Sequence, residues 1–253
     1  MKIASLIGKK FDLHTHTSFS DGKNTPEEMV KAAIEKGLFA LGFSDHSYTF
    51  YDESYCMKKE KYEEYIKTAS FLKEKYKGKI EVFCGIEQDL YSTEPTTGFD
   101  YSIGSVHYLK VGKDYFAIDD GIDVIKNATE KYFGGDIYSL IEEYFLTVSK
   151  AAEKGNDIVG HFDYITLYNE DGELFDERDQ RYISAWKKAA DKLIKDGIYF
   201  EINTGGMARK HKRHPYPTEE IQDYITENGG KFICSSDSHS TQTLCYKFED
   251  YIK

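Results

Sequence analysis

Short apolar runs alternate with longer amphipathic stretches along the whole 253-residue chain, the pattern of strand and helix units wound around a mostly parallel sheet. Seven runs read as strands: 11–17, 39–45, 80–87, 101–108, 157–162, 198–203 and 232–236. Between the first two, Pro26-Glu27-Glu28 opens a helix in which Met29, Ala32, Ala33 and Ile34 recur at helical spacing, with Thr25 as N-cap and Gly37 past the end. Segments 59–76, 138–154 and 179–195 repeat the pattern, each closing near a glycine (Gly78, Gly155, Gly197), and a further helix starts at Thr218. Gly134-Gly135-Asp136 reads as a turn with Asp136 capping the next helix. With no fixed-period repeat and no Pro/Gly/Ser-rich linker, the reading is one α/β domain over residues 1–253, a barrel or open sheet and not a solenoid.

Parallel α/β sheets carry their sites at the carboxyl ends of the strands, and nearly every strand here ends in a metal-ligand type. The first delivers His14 and His16, the second Asp45 and His46, the third Glu87, the fourth His107, the fifth His161 and the seventh Asp237 and His239. A lone histidine beside a strand is more often a core or surface residue than a ligand. Here six of the eight histidines in the chain hold equivalent strand-end positions. In His14-Thr15-His16 the i, i+2 spacing turns both imidazoles to one face of the strand, as a metal clamp requires, and Asp237-Ser238-His239 repeats it.

Charge narrows the partners. A formal net charge of -11 argues against a nucleic-acid or anionic-membrane binder, which captures its partner through a broad basic surface. An anionic substrate must then be held locally, by divalent cations and a few arginines. Cys56, Cys84, Cys234 and Cys245 form no C-x-x-C pair and read as thiols of a reducing, cytoplasmic compartment, with Cys84 and Cys234 in core strands. No signal segment is recognisable, and no apolar run approaches the roughly 18 residues that span a bilayer. Phosphate-loop, dinucleotide and nucleophile-elbow motifs are missing.

The motifs H-T-H-x-x-x-S-D-G, S-D-H, G-I-E, G-S-V-H, G-H-F-D and S-S-D-S-H, in this order, resemble those of the polymerase and histidinol phosphatase (PHP) family over essentially the whole chain. Glu201-Ile202-Asn203-Thr204-Gly205, then Arg209 and Tyr216-Pro217, look most like its histidinol-phosphate phosphatase branch. The resemblance implies a distorted (β/α)7 barrel, similar to a TIM barrel, and three divalent metal ions. His14, His16, Glu87 and Asp237 would surround one ion, Glu87 would bridge to a second held by His107 and His161, and Asp21, His46 and His239 would hold the third. Asp21 also reads as a turn residue before Gly22.

Imidazole and carboxylate ligands without thiolate suit zinc, iron or manganese. Two ions sharing a carboxylate lie roughly 3.5 to 4 Å apart, a spacing at which a bridging water ionises near neutral pH and attacks phosphorus in line. Arg209 is the first candidate for a bidentate phosphate contact and Arg181 the second, with Asn203 and the amides of Gly205 and Gly206 beside the substrate. Lys210, Lys212 and Arg213 read as a solvated loop, while His211 and His214 face either substrate or solvent. Candidates for the proton donor are a metal-bound water, Asp237 and His239. Asp45 and Asp163 are candidates to orient His46 and His161. Tyr48, Tyr108, Phe162 and residues 164–167 are candidate pocket walls.

The implied reaction is hydrolysis of a small-molecule phosphate monoester, L-histidinol phosphate to L-histidinol and phosphate, a step of histidine synthesis. A phosphatase or phosphodiesterase of the same family acting on a nucleotide or sugar phosphate is the alternative. A non-catalytic metal-binding module is disfavoured because no ligand of the set is missing. The sequence leaves the oligomeric state open.

Overall fold

The computed structural model describes residues 3–251. In chain order the elements are β1 (Phe11–Asp12), α1 (Pro26–Glu35), β2 (Ala40–Phe43), α2 (Tyr62–Lys75), β3 (Glu81–Asp89), β4 (Tyr101–Ser105), β5 (Tyr108–Val111), β6 (Asp114–Ala117), α3 (Ile122–Phe133), α4 (Ile137–Val148), β7 (Ile158–Val159), α5 (Gln180–Asp196), β8 (Tyr199–Asn203), α6 (Gly205–Ala208), α7 (Glu219–Glu227) and β9 (Lys231–Ser235). Seven strands form one parallel sheet in the order β1-β2-β3-β4-β7-β8-β9. Its ends meet just beyond β1 and β9. There Thr15 and Ser238 form a parallel bridge, with His16 N–H donating to Ser238 O at 2.9 Å and Ser238 N–H to His14 O at 3.2 Å. The result is a nearly closed, distorted (β/α)7 barrel.

Local chemistry explains the helices. Thr25 and Glu28 make a reciprocal capping box at α1, Glu28 Oε2 accepting the Thr25 N–H at 2.8 Å, and Pro26 occupies the first turn, where its missing N–H costs nothing. Asp179 caps α5 by accepting the Arg181 N–H at 2.7 Å, and Gly197 ends it in the left-handed region (φ 78°) that a side chain would disfavour. Between these caps Tyr182, Ala185, Trp186, Ala189, Ala190 and Leu193 line one buried face.

Apolar side chains gather in two clusters between sheet and helices and a third inside the barrel. One packs the β5–β6 hairpin, β7 and β8 against α3, α4, α5 and α7, and another packs β2 and β3 against α1 and α2. The inner one joins Phe11, Leu13, Ala40, Tyr101, Ile103, Ile158 and Ile233 to Ile3 and Leu6. Tyr101 crosses the interior so that its hydroxyl reaches Leu13 O (2.5 Å) and Phe43 O (3.0 Å). Gly42 and Gly85 make room for it: a Cβ on either would lie 2.2 Å from the Tyr101 side chain.

The chain departs from its sequence pattern after β4. The run expected over 101–108 stops pairing at Ser105, and Tyr108 begins the antiparallel hairpin β5–β6, which turns at Gly112 (φ 61°). That hairpin and α3 were not anticipated from the pattern. The first strand is two residues long because the chain beyond Asp12 leaves the ladder to carry its histidines inward. Among the described residues no helix is long and apolar enough to cross a membrane.

Candidate metal centre

Ligand-type side chains lie at or just past the carboxyl ends of the strands, where the chain leaves the ladder and side chains can turn over the barrel mouth. His14 and His16 follow β1, His46 follows β2 and bridges to Glu87 on β3, His107 sits between β4 and β5, His161 follows β7, and Asp237 and His239 follow β9. Glu87 is the hub. Its Oε1 lies 3.3 Å from His14 Nε2, 3.5 Å from His107 Nε2 and 3.2 Å from His161 Nε2. Its Oε2 lies 2.9 Å from His46 Nδ1 and 3.6 Å from His16 Nε2. Asp237 Oδ1 stands 3.3 Å from His16 Nε2 and 3.7 Å from both His14 Nε2 and His239 Nδ1.

Asp21 occupies a turn and also faces the centre. Gly22 N–H donates to Thr17 O at 3.0 Å, and a Cβ on Gly22 would lie 2.5 Å from the His16 backbone, so only glycine lets the loop fold back this tightly. The turn sets Asp21 3.1 Å from His239 Nε2, 3.7 Å from His46 Nε2 and 3.8 Å from His16 Nδ1. Three sets of donor atoms close enough to hold a cation emerge: His14, His16 and Asp237; His46, Glu87 and His107; and His16, Asp21, His46 and His239. His16 and His46 thus each stand in two of them, while His161 reaches the cluster through Glu87.

The donors are short of partners. His14 Nε2, both ring nitrogens of His16, Glu87 Oε2 and the Nδ1 atoms of His107 and His161 are buried without a hydrogen bond. Each such atom costs about 1–3 kcal/mol to bury, and several converging on one point fit bound cations, with a donor set that suits zinc, iron or manganese. Burial alone would raise the Glu87 pKa, yet the charges of His14, His46 and His107 hold it well below the usual carboxylate range. Asp237 is likewise kept ionised against burial by Arg209 and His14.

Arg209 stands beside this cluster, at the end of the short helix α6. Its guanidinium donates to Asp237 Oδ2 at 2.8 Å and to Asp237 O at 3.3 Å, and it lines a cavity of about 510 Å³ over the centre. His46, His107, Asp237 and His239 line that cavity together with Tyr55, Tyr108, Tyr164 and Tyr168 and the carboxylates of Asp52, Asp119 and Asp120. Leu167 and His211 also reach it, whereas Phe162 is buried in the core and His214 is exposed. Tyr48 does not line it and donates instead to Glu53 Oε1 at 2.8 Å.

Several expected roles are corrected. Arg181 lies on the outer surface at the start of α5, its guanidinium consumed by Asp136 (2.8 Å) and Glu142 (2.9 Å), so it cannot reach a substrate in the barrel mouth. Asn203 and Gly205 do not line the cavity: the Asn203 amide donates to Glu201, and its oxygen accepts the Gly205 N–H at 2.9 Å, so that backbone amide is already committed. Gly205 is glycine because Asp237 packs on it, 2.8 Å from where a Cβ would stand. Gly206 makes room for Tyr216 in the same way. Asp45 does not orient His46; both its oxygens tie down the loop 17–20 through Thr17 and Ser20. Asp163 holds the Thr218 N–H at 3.0 Å and not His161. Lys212 and Arg213 are not merely solvated, since both pair with Glu170.

Two carboxylates of the site carry roles that the sequence did not assign. Glu201, fully buried on β8, accepts from His14 Nδ1 at 2.7 Å, and Asp89 on β3 accepts the His107 N–H at 3.1 Å. A signal existed for Glu201: an acidic residue in an apolar strand, on the same face as Asn203.

A parallel barrel whose mouth gathers imidazoles and carboxylates with one arginine beside them is the arrangement of a metal-dependent hydrolase. The chain belongs to the PHP domain family, whose profile matches residues 12–205. A Deinococcus radiodurans protein named "Probable histidinol-phosphatase" is 31% identical over 254 residues, covering 96% of this chain and 91% of its own. The Bacillus subtilis histidinol-phosphatase is 24% identical over 270 residues, covering 97% and 99%. Among solved structures, hisK of Listeria monocytogenes superposes with a TM-score of 0.81 at 20% identity, over 96% of this chain and 100% of that one. Histidinol phosphate phosphatase of Lactococcus lactis, solved with zinc, L-histidinol and phosphate, gives 0.67 at 23% identity over 92% and 87%.

Proposed function

We infer that the chain is a metal-dependent phosphoric monoester hydrolase that converts L-histidinol phosphate to L-histidinol and phosphate. The observation that carries this is the set of buried, unpaired imidazole and carboxylate atoms around Glu87 with Arg209 at its edge, in a chain matched along its length by proteins named for that reaction. We assign His14, His16, Glu87 and Asp237 to one ion, Glu87, His107 and His161 to a second, and Asp21, His46 and His239 to a third. Divalent ions held there supply charge neutralisation and a water ionised near neutral pH.

The chain's own groups do the rest. Arg209 keeps one edge of its guanidinium on Asp237 and borders the cavity with the remainder, where it takes the outer phosphate oxygens by charge-assisted hydrogen bonds. Asp237, held anionic against burial, is a poor proton donor and serves as a ligand. His239, at the solvent edge of the centre, has Nε2 on Asp21 and Nδ1 against the Asp237 carbonyl, so as an ion ligand it does not also deliver a proton. The tyrosines close the walls around the organic part. The carboxylates of Asp52, Asp119 and Asp120 on the cavity wall favour a cationic amino alcohol over a nucleotide, whose further phosphates they would repel. A cytosolic location accords with this reading.

The test is phosphate release by zinc- or manganese-reconstituted protein from histidinol phosphate, ribose phosphates and nucleotides. A steep preference for histidinol phosphate is expected. Preference for a nucleotide would replace the substrate, and no release from any ester would remove the activity.

A further inference from the structure

Glu201 touches no part of the cavity, yet it reaches both flanks of Glu87. It lies on β8, hydrogen-bonded on one side to β7 and on the other to β9, past which the chain bridges to the segment after β1. Its Oε1 takes His14 Nδ1 at 2.7 Å, while Oε2 takes the backbone N–H of His161 at 3.0 Å and the Asn203 amide at 3.0 Å. With Nδ1 so committed, His14 presents Nε2 toward Glu87 and Asp237, and that nitrogen has no hydrogen-bond partner. The second oxygen fixes the start of the His161 segment, whose Nε2 reaches the other side of the same Glu87 oxygen at 3.2 Å.

We propose that Glu201 is a positioning residue that couples the two ion positions flanking Glu87, holding His14 as the tautomer with its proton on Nδ1 while anchoring His161 through its amide. The proposal rests on the metal-centre reading above. A carboxylate suits the task because it accepts from both sides at once; an amide of the same shape must turn an NH2 toward either the imidazole N–H or the His161 N–H. Outer carboxylates that orient ligating imidazoles are worth about 10- to 100-fold in metal affinity.

The test titrates chelator-stripped full-length protein with zinc by calorimetry, comparing wild type with Glu201→Gln, and records long-range proton–nitrogen spectra of the zinc-loaded wild type. The variant is expected to bind zinc about 10- to 100-fold more weakly, and His14 to carry its proton on Nδ1. Zinc affinity in the variant equal to wild type, or a His14 proton on Nε2, would overturn the role of Glu201 alone. Failure of the wild type to bind zinc would sink the metal centre itself. Should Glu201→Gln not fold, as judged by circular dichroism, the wild-type tautomer still decides.

Discussion

At the floor of the barrel, the Tyr101 hydroxyl sits against two backbone carbonyls, and the Asp12 carboxylate receives the Ser236 hydroxyl and the amides of His14, Ser236 and Cys245. A few residues farther along the same strands, at the mouth, imidazole nitrogens and a Glu87 oxygen are equally buried and have no partner. Both layers hold polar groups away from water, yet the Tyr101 hydroxyl and the Asp12 carboxylate are satisfied internally and those mouth donors are not. The contrast separates polar groups that close the fold from those held ready for something outside the chain, because an unpaired buried atom lowers stability and persists where function requires it.

The mouth depends most on its hub, Glu87. Glu87→Ala should lower kcat/KM on the order of a thousandfold or more, since metal charge stabilisation is worth several kcal/mol, while circular dichroism stays native; retained activity with full metal content would defeat the assignment. Arg209→Ala removes a charge-assisted contact worth about 1.5–3 kcal/mol, a loss of about 10- to 150-fold in kcat/KM, and unchanged efficiency would take it out of the phosphate site.

Proton linkage gives the next test. Although burial opposes it, the charges of Glu201, Glu87 and Asp237 raise the His14 pKa well above normal, and Glu87 with Asp89 raises that of His107 to about 9. Groups raised in the fold contribute fully below the unfolded value near 6.5 and lose that contribution as pH rises through about 9. Metal-stripped protein should therefore melt at lower temperature at pH 9 than at pH 6.5. The gain from zinc should grow over the same range, because the cation competes with those protons. A zinc gain that shrinks toward pH 9 would refute the linkage. At the floor, Tyr101→Phe should cost about 1–3 kcal/mol of stability, read by urea denaturation, because two buried carbonyls lose a donor, with kcat in the folded enzyme unmoved. Arg181→Ala, on the outer surface, should leave kcat/KM and melting temperature at wild-type values, and any fall in activity would return it to the pocket.

The strand ends were legible because two physical regularities coincide there: period-two alternation fixes which face His14 and His16 share, and parallel sheets expose their carboxyl ends. What adjacency in sequence suggested fared worse. Asp45 neighbours His46 but its side chain turns to Thr17 and Ser20, and Asp163 follows His161 by two residues yet anchors Thr218. Side-chain direction at a strand end is set by the loop it must hold, which local spacing does not encode. Arg209 and Arg181 differ likewise in what surrounds them, one beside the ion centre and one among surface carboxylates, a distinction made by tertiary packing alone. The hairpin β5–β6 was hidden because its four-residue strands continue a run already read as β4.

The bridge between Thr15 and Ser238 lies inside the two pairs we assign as ion ligands, His14/His16 and Asp237/His239. During synthesis, a ribosome must therefore release residue 239 before the earliest histidines meet Asp237 and His239, so an incomplete chain holds only part of the proposed cation cage. Once sealed, a captured ion would rivet the first and last staves of the barrel together.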